Sequence, residues 1–329
     1  MKSLVTGATG FLGSAVMRSL VSAGHAVRVL VRPNSDRRNL EGFAVEVIEG
    51  DLRDIASLKR AVSDCDSLFH VAADYRLWVP DPTTMHEINV QGTRALIIAA
   101  HEAGIQRMVY TSSVATLGLN ADGSPANENT PSDLSTINGY YKRSKFQAEQ
   151  IVRQLTTDHQ LPLVIVNPST PIGPCDIRPT PTGKIVIDTL SGHMPAYVNT
   201  GLNIAHVDDI AQGHLLAYQY GKTGERYILG GDNMSLLQIL QSIDNIIGKK
   251  RNRLNIPISV MLPLAWTMEK IALITNTEPR ATLDSIHMAK KLMFFSSEKA
   301  ERELGYQHRP AIEALQDAIK WFMEHGYCR

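Results

Sequence analysis

The chain has 329 residues, of which 43% are hydrophobic and 20% charged, and its acidic and basic residues are equal in number. This length suits one large globular domain or two ordinary ones. The net charge of zero argues against nucleic acid or an anionic membrane as the main partner. Three cysteines without a CxxC pair argue against a disulfide framework or a cysteine-rich zinc site. Because a strand pattern begins almost at Met1, we expect no signal peptide and a cytoplasmic protein.

A glycine-rich turn follows the first predicted strand, Leu4–Val5, and leads into an apolar helical pattern. This context predicts a dinucleotide-binding turn, because its three glycines are spaced three residues apart. Gly7 would allow the tight turn, Gly10 the approach of a pyrophosphate, and Gly13 close packing of the helix. The phosphates would contact free N–H groups at the helix N-terminus. The predicted cofactor-binding residues of this turn are Gly7, Thr9, Gly10, Phe11 and Leu12.

Strand and helix patterns alternate through the first half of the chain. Strands are predicted at Leu4–Val5, Ala26–Val31, Ala44–Ile48, Ser67–Ala73, Arg107–Ser113 and Leu163–Val166. Helices are predicted at 14–21, Ile55–Val62, Thr84–Ala103 and Gly139–His159. This alternation predicts an α/β fold of the Rossmann type, with a doubly wound parallel sheet and right-handed crossovers. Ligands bind at the carboxyl ends of such strands. The residues predicted at those ends are Gly7, Arg32, Asp51, Ala72 and Ser113.

The pattern loosens beyond Pro168, and the five prolines from Pro168 to Pro181 predict a loop that shapes a pocket. Asn203–Leu229 is expected to return to the main sheet. We therefore assign residues 1–168 plus about 202–230 to the nucleotide-binding domain. A smaller C-terminal substrate lobe would take about 169–201 plus 231–329.

The longest apolar stretch, Leu254–Ile274, contains two prolines and two charged residues, so it is a poor membrane span. It is interpreted as a buried or groove-lining segment. The alternative is a surface that meets an apolar substrate or a bilayer.

The second strand ends in a basic cluster. An acidic residue at this point accepts a hydrogen bond from the ribose of NAD, whereas an arginine accommodates the 2′-phosphate of NADP. Arg32 occupies the position, Arg37 and Arg38 follow, and Asp36 is the first acidic residue. We predict NADP(H), with NAD(H) and a plain basic surface loop as alternatives. Asp51 is predicted to hydrogen-bond the adenine amino group, and an N-cap of the next helix is its rival role.

Tyr141 and Lys145 are four residues apart, so their side chains occupy one face of the predicted helix Gly139–His159. A phenol with a pKa of about 10 is a poor acid–base group at neutral pH, and a cation one turn away would lower that pKa. Tyr140 lacks such a pairing, because the residue four positions on is Ser144. Ser113, at the end of a central strand, is placed to hydrogen-bond a substrate oxygen.

These motifs, in this order, resemble the extended short-chain dehydrogenase/reductases over nearly the whole chain. The matching motifs are Thr6-Gly7-x-x-Gly10-x-x-Gly13, Asp51-Leu52, His70-Val71-Ala72-Ala73, Asn89-Val90-x-Gly92-Thr93, Thr111-Ser112-Ser113, Tyr141-x-x-x-Lys145, His206-Val207-Asp208-Asp209 and Arg226-Tyr227-x-Leu229. Within this family the chain resembles the dihydroflavonol 4-reductase-like branch. Residues 69–78 and 167–174 are similar to the bacterial hopanoid-associated sugar epimerases. Ala72 and Ala73 replace the usual Ala-Gly pair, which brings the chain nearer the reductase branch.

The resemblance implies a catalytic triad of Ser113, Tyr141 and Lys145, with Lys145 also holding the nicotinamide ribose. It implies that Asn167, Pro168 and Ser169 flank the nicotinamide. The predicted cofactor-binding set is completed by Leu52, Ala72 and Ala73. Homodimers through the helices 84–103 and 139–159 are also implied.

Three functions compete at this point. The first is hydride transfer between a nicotinamide cofactor and a carbonyl or carbinol carbon, with Tyr141 as the acid–base. The second is epimerisation of a sugar, nucleotide-bound or lipid-linked, with a retained NAD(P). The third is a non-catalytic nucleotide sensor, against which the intact triad argues. No metal site is predicted, because His70 is interpreted as a core histidine and Asp208 or Asp209 as an N-cap.

Overall fold

The computed structural model describes residues 1–76, 79, 81–135, 137, 139–275, 282, 283, 286 and 289–328. Leu77 and Trp78, which end the stretch of similarity at 69–78, lie outside the described residues. Within this described part of the chain, none of the helices combines the length and the apolar character needed to cross a membrane.

Thirteen strands are present in the described part of the chain. They are β1 (Lys2–Thr6), β2 (Ala26–Val31), β3 (Val45–Glu49), β4 (Ser67–His70), β5 (Arg107–Thr111), β6 (Leu163–Pro168), β7 (Thr170–Ile172), β8 (Ala196–Tyr197), β9 (Gly201–His206), β10 (Arg226–Leu229), β11 (Asp232–Ser235), β12 (Leu254–Asn255) and β13 (Leu292–Met293). Seven of them form the central sheet, in the order β10-β6-β5-β4-β1-β2-β3. Every neighbouring pair in this sheet is parallel. The predicted doubly wound parallel sheet is therefore confirmed.

Eleven α-helices are present in the described part of the chain. They are α1 (Phe11–Ser22), α2 (Ile55–Val62), α3 (Thr83–His86), α4 (Thr93–Glu102), α5 (Tyr140–His159), α6 (Pro181–Leu190), α7 (Val207–Tyr220), α8 (Leu236–Ile246), α9 (Ile258–Thr275), α10 (Glu298–Leu304) and α11 (Ala311–Glu324). One apolar core joins α1 and α7 to the sheet, and a second joins α2, α4 and α5 to its other face. Strands β4 and β6 are buried along their whole length between these cores, which accounts for their apolar sequences.

The predicted helix Thr84–Ala103 is interrupted. A π-helical segment, Glu87–Gly92, separates α3 from α4. Such segments are rare and often mark functional sites. In this one the side chain of Asn89 is buried and binds two neighbouring elements, as described below.

A smaller sheet lies next to the central one, with the order β11-β9-β13 and with β7 paired to β9. The expectation that Asn203–Leu229 returns to the main sheet is therefore half wrong. Only β10 joins the main sheet, beside β6. Strand β9 pairs with β7 and β11 instead, because Ile204 belongs to the core that α6, α8 and α11 build beside the smaller sheet.

The start of α7 also differs from the expectation. Its N-cap is His206, whose ring accepts a hydrogen bond from the backbone N–H of Asp208. Asp208 and Asp209 lie in the first turn, where acidic side chains interact favourably with the helix dipole. They pair there with Arg18 and Arg309 respectively.

Candidate active site

The glycine-rich turn has the geometry that its sequence predicts. Gly7 has a φ of +78°, and a Cβ at this position would lie 2.8 Å from the backbone of Ala72. A Cβ at Gly13 would lie 2.1 Å from the carbonyl oxygen of Gly7, so only glycine lets α1 approach the turn. Around Gly10 the described residues leave more space, since an added Cβ meets only that same oxygen, at 3.3 Å. Helix α1 begins with no side-chain cap, so its first N–H groups are free to bind an anion.

The three arginines after β2 are not equivalent. Arg37 pairs with Glu49, and Arg38 binds both carboxylate oxygens of Asp36. Arg32 is exposed, and among the described residues its side chain makes no hydrogen bond or ion pair. It is thus the arginine of the cluster that is available to a phosphate.

Asp51 does not cap helix α2. The N-cap is Asp54, whose side chain accepts from the backbone N–H of Ala56 at 3.0 Å. The carboxylate of Asp51 instead holds the Arg53 guanidinium through two hydrogen bonds of 2.9 and 3.0 Å, which lower the pKa of the carboxyl. The N-cap alternative is therefore wrong, and the adenine contact stays a prediction. Leu52, the next residue, is buried.

His70 at the end of β4 is a satisfied core histidine, as predicted. Its Nδ1 lies 2.7 Å from the hydroxyl of Thr6, and its Nε2 lies 2.9 Å from the hydroxyl of Thr93. Burial, with the nearby charge of Lys145, lowers its pKa to about 3, so the ring is neutral at physiological pH. Two residues on, the backbone N–H of Ala72 donates to the hydroxyl of Thr6, which ties the end of β4 to the end of β1.

The structure brings Ser113 and Tyr141 together, since the two side chains are hydrogen-bonded. Ser113 follows β5 and caps a short 3-10 turn, where its hydroxyl accepts from the N–H of Ala115 at 3.1 Å. Tyr141 lies in the first turn of α5. Its neighbour Tyr140 is 51% exposed and points to solvent, which supports Tyr141 as the functional tyrosine.

Lys145 lies one turn further along α5 and is only 3% exposed. Its Nζ donates to the hydroxyl of Tyr110 at 3.1 Å and to the carbonyl oxygen of Thr111 at 2.8 Å. Burial lowers the pKa of Lys145 to about 7, against the opposing charge of Glu149. The residue is therefore poised between its two protonation states at neutral pH.

The expectation that Lys145 lowers the pKa of Tyr141 is wrong for this structure. Burial raises the pKa of the phenol, and the hydrogen bond with Ser113 is what opposes the rise. Tyr141 and Lys145 do share a helix face, but the ammonium group is held by β5. The phenol therefore stays protonated at neutral pH.

Glu149 is a site residue that sequence reasoning missed. It is 2% exposed and lies one turn beyond Lys145, so the spacing that linked Tyr141 to Lys145 also pointed to it. Its carboxylate pairs with Arg226 of β10 at 2.9 Å. It also accepts three further hydrogen bonds, from Ser112, Thr116 and Asn167.

The end of β6 presents two buried oxygens that lack partners among the described residues. They are Oδ1 of Asn167 and Oγ of Ser169. The Asn167 amide nitrogen is fully used, because it donates to Glu149 and to the backbone oxygen of Ser113. An orphaned buried polar atom costs about 1–3 kcal/mol. These two oxygens, beside Ser113 and Pro168, are thus suited to the polar groups of a bound ligand.

Asn89 is a second residue that the sequence did not single out for a role. Its amide donates to the hydroxyl of Ser144 at 2.9 Å and to the carbonyl oxygen of Asp74 at 2.8 Å. Its own oxygen accepts from the N–H of Asp74 at 2.7 Å. The π-helical segment therefore fixes α5 against the loop that follows β4.

Comparison with known proteins agrees with this geometry. Residues 3–230 match the model of the NAD dependent epimerase/dehydratase family. The chain is 44% identical to a putative dihydroflavonol 4-reductase of Synechocystis sp., over 99% of this chain and 95% of that protein. It is 35% identical to sterol demethylase protein B of Methylococcus capsulatus, over 99% of each chain. The crystal structure of gox2253 superposes with a TM-score of 0.90 at 54% identity, and 99% of each chain is covered.

Proposed function

Because this chain belongs to the NAD dependent epimerase/dehydratase family, we propose that it is an NAD(P)(H)-dependent oxidoreductase whose net reaction is reduction of a carbonyl group. The observation that favours reduction over oxidation is that Tyr141 is protonated. Burial raises the pKa of its phenol, and Ser113 holds it by a hydrogen bond. A protonated phenol suits donation to the oxygen of a carbonyl that receives a hydride, whereas oxidation of an alcohol needs the phenolate.

The carboxyl edge of the central sheet fits a dinucleotide. The glycine turn leaves space around Gly10, α1 begins with free N–H groups, and Asn167 and Ser169 offer unpartnered oxygens. A nicotinamide cofactor held there would supply the hydride. The residues that we propose to hold it are Gly7, Thr9, Gly10, Phe11, Leu12, Arg32, Asp51, Leu52, Ala72, Ala73, Tyr141, Lys145, Pro168 and Ser169.

The side chains of the triad divide the remaining work. Ser113 orients the substrate oxygen, and Tyr141 donates the proton to that oxygen as the hydride arrives. Lys145, whose pKa lies near 7, contributes to binding the cofactor ribose while β5 holds its Nζ. Proton donors of this kind supply about 10²–10⁴ in rate.

The preferred cofactor that we propose is NADP(H). Arg37 and Arg38 already hold carboxylates, whereas Arg32 has no ion-pair partner among the residues described. A cation at this strand end accommodates the 2′-phosphate that distinguishes NADP from NAD.

The substrate that we propose is a ketone on an apolar ring system. Two relatives that cover nearly the whole chain are named for a dihydroflavonol and for a sterol, which are both polycyclic compounds. Epimerisation of a sugar is the second candidate, because the matching family includes epimerases. It would require Tyr141 to act as a base in its first step.

The stoichiometry of the nucleotide tests this proposal. The wild-type protein is incubated with NADPH and a panel of polycyclic and small ketones, and the absorbance of NADPH is followed. We expect one NADPH to be consumed per alcohol formed, and no consumption with Tyr141→Phe. In parallel, nucleotide sugars are followed by NMR. Formation of a sugar isomer without net change in nucleotide would refute reduction and establish the epimerase.

A further inference from the structure

Helix α9 exposes apolar side chains beside the face that it buries. Ala265 and Ala272 are seven residues apart and are almost fully buried, so they define the inner face. Val260, Leu264 and Ile271 follow one flank of that face at spacings of four and seven residues and are 45–58% exposed. A helix that is apolar beyond its buried face is normally covered there as well.

An aromatic and cationic pair lies on the other flank of the buried face. Trp266 is 54% exposed, and Nζ of Lys270, one turn on, lies 5.7 Å from the centre of its ring. Tryptophan and lysine with apolar stems are the residues that settle at the boundary between headgroups and acyl chains. We call Val260, Leu264, Trp266, Lys270 and Ile271 the α9 surface.

The charge around α9 is uneven although the whole chain is neutral. Residues 249–291 contain eight Lys or Arg and three Asp or Glu, against 33 of each sign in the chain. Arg251 and Arg253 are used internally, since both pair with the buried Asp244. Four exposed lysines have no carboxylate partner in the described part of the chain. They are Lys249, Lys250, Lys290 and Lys291.

These lysines precede and follow α9 in the sequence, near the two points where the chain leaves and rejoins the substrate lobe. The chain leaves at Leu254, which pairs with Ala196, and returns at Leu292, which pairs with Gly201. Ala196 and Gly201 are five residues apart, so the two anchor points lie within roughly 18 Å of each other. Leu254 and Leu292 are themselves 74% and 38% exposed. Among the described residues, this edge of the lobe therefore combines apolar side chains with lysines that have no carboxylate partner.

We propose that the α9 surface docks the protein on an anionic lipid bilayer. Apolar side chains would enter the headgroup boundary, while the flanking lysines would contact acidic headgroups. The positive charge selects this occupant, because a second copy of the same face would bring like charges together. The inference does not depend on which reaction the site catalyses.

Sedimentation of the full-length protein with vesicles tests the proposal. We expect binding to phosphatidylcholine vesicles that contain about a third of phosphatidylglycerol, weak binding to pure phosphatidylcholine, and loss of binding as salt rises. Leu264→Ser combined with Ile271→Ser should weaken vesicle affinity about a hundredfold. The matched control is Ile55→Ser with Met323→Ser, because these side chains are 58% and 57% exposed on other helices. It should bind like the wild type.

The lysines provide an independent variant that does not touch the helix. Lys249→Gln with Lys250→Gln should weaken binding roughly 30-fold, while Lys59→Gln with Lys320→Gln should not. Absence of wild-type binding to anionic vesicles would overturn the proposal, and so would equal losses in the control pairs. A third contrary outcome is that the α9 variants convert a dimer to monomers without changing vesicle binding. The α9 surface would then be a self-association face.

Discussion

The phenol of Tyr141 and the ammonium group of Lys145 project from one face of α5 into different surroundings. Ser113 holds the phenol, whereas β5 holds the ammonium through Tyr110 and Thr111. Burial raises the pKa of the phenol and lowers the pKa of the ammonium group, because it disfavours the charged form of each. The phenol is therefore kept as an acid, and the lysine loses its charge more easily than in water.

Replacing Tyr141 tests the proton donor. Tyr141→Phe should lower the turnover number about 10²–10⁴-fold, because the ring stays while the proton is lost. Tyr140→Phe is the matched control, since this neighbour is half-exposed and should retain full activity. Steady-state kinetics measures both, and calorimetric titration should show nearly unchanged NADP(H) affinity. Loss of activity in Tyr140→Phe together with full activity in Tyr141→Phe would contradict the assignment.

Replacing Arg32 tests the choice of cofactor. Arg32→Gln should weaken NADP(H) binding roughly ten- to a hundredfold and leave NAD(H) nearly unchanged, because a charge-assisted hydrogen bond to phosphate contributes about 1.5–3 kcal/mol. Arg38→Gln is the control, since Asp36 already holds that guanidinium. Calorimetry with both nucleotides on the wild type and the two variants measures the six dissociation constants. Equal losses for NADP(H) and NAD(H) would disprove a role for Arg32 at the 2′-phosphate.

At the scale of elements, α5 is central to the proposed chemistry because three of its successive turns present Tyr141, Lys145 and Glu149 to the strand ends. Glu149 joins α5 to β10 through Arg226, and to β6 through Asn167. Its negative charge raises the pKa of Lys145 against the effect of burial. We therefore regard Glu149 as a positioning residue that fixes the strand ends and keeps Lys145 charged.

The pH dependence of activity should reveal this role. The fraction of Lys145 that is protonated falls as the pH rises through about 7. We therefore expect kcat/KM to decrease at alkaline pH. Glu149→Gln removes the charge that opposes burial, which lowers the pKa of Lys145 and moves this limb to lower pH. Ser112→Ala is the control, because it removes a hydrogen bond to Glu149 but leaves the carboxylate. A limb that stays in place in Glu149→Gln would exclude the electrostatic role.

Local patterns predicted the elements that local forces determine. The bounds of β2 and α2 agree with the sequence to the residue, because an apolar run and a helical apolar stripe define them. The π-helical segment was not predictable, since it depends on contacts of Asn89 with residues 15 and 55 positions away. The sheet to which β9 belongs and the direction of the pKa shift of Tyr141 could not be predicted either, because both are set by residues that only the fold brings near.

For the whole molecule, charge and apolar surface are distributed unevenly in ways that averages conceal. A net charge of zero argued against an anionic membrane, yet lysines that have no carboxylate partner among the described residues cluster around α9. The implied dimer surface is different in character. Helices α4 and α5 cover the opposite face of the central sheet from α7, and their partly buried Ile98 and Ile151 pack against one apolar core. A dimer through α4 and α5 would leave the α9 surface free for lipid.

Analytical ultracentrifugation tests the dimer that we propose. The wild type should sediment as a species of twice 36.3 kDa. Ile98→Glu should raise the dissociation constant at least about a hundredfold, because an unpaired charge buried in an interface costs about 3–5 kcal/mol. Leu216→Glu is the matched control, since this side chain is also partly buried but lies on α7, packed against the other core. Thermal melting of both variants separates dissociation from unfolding. A monomeric wild type, or equal dissociation of both folded variants, would refute the interface, whereas Leu264→Ser with Ile271→Ser should leave the dimer intact.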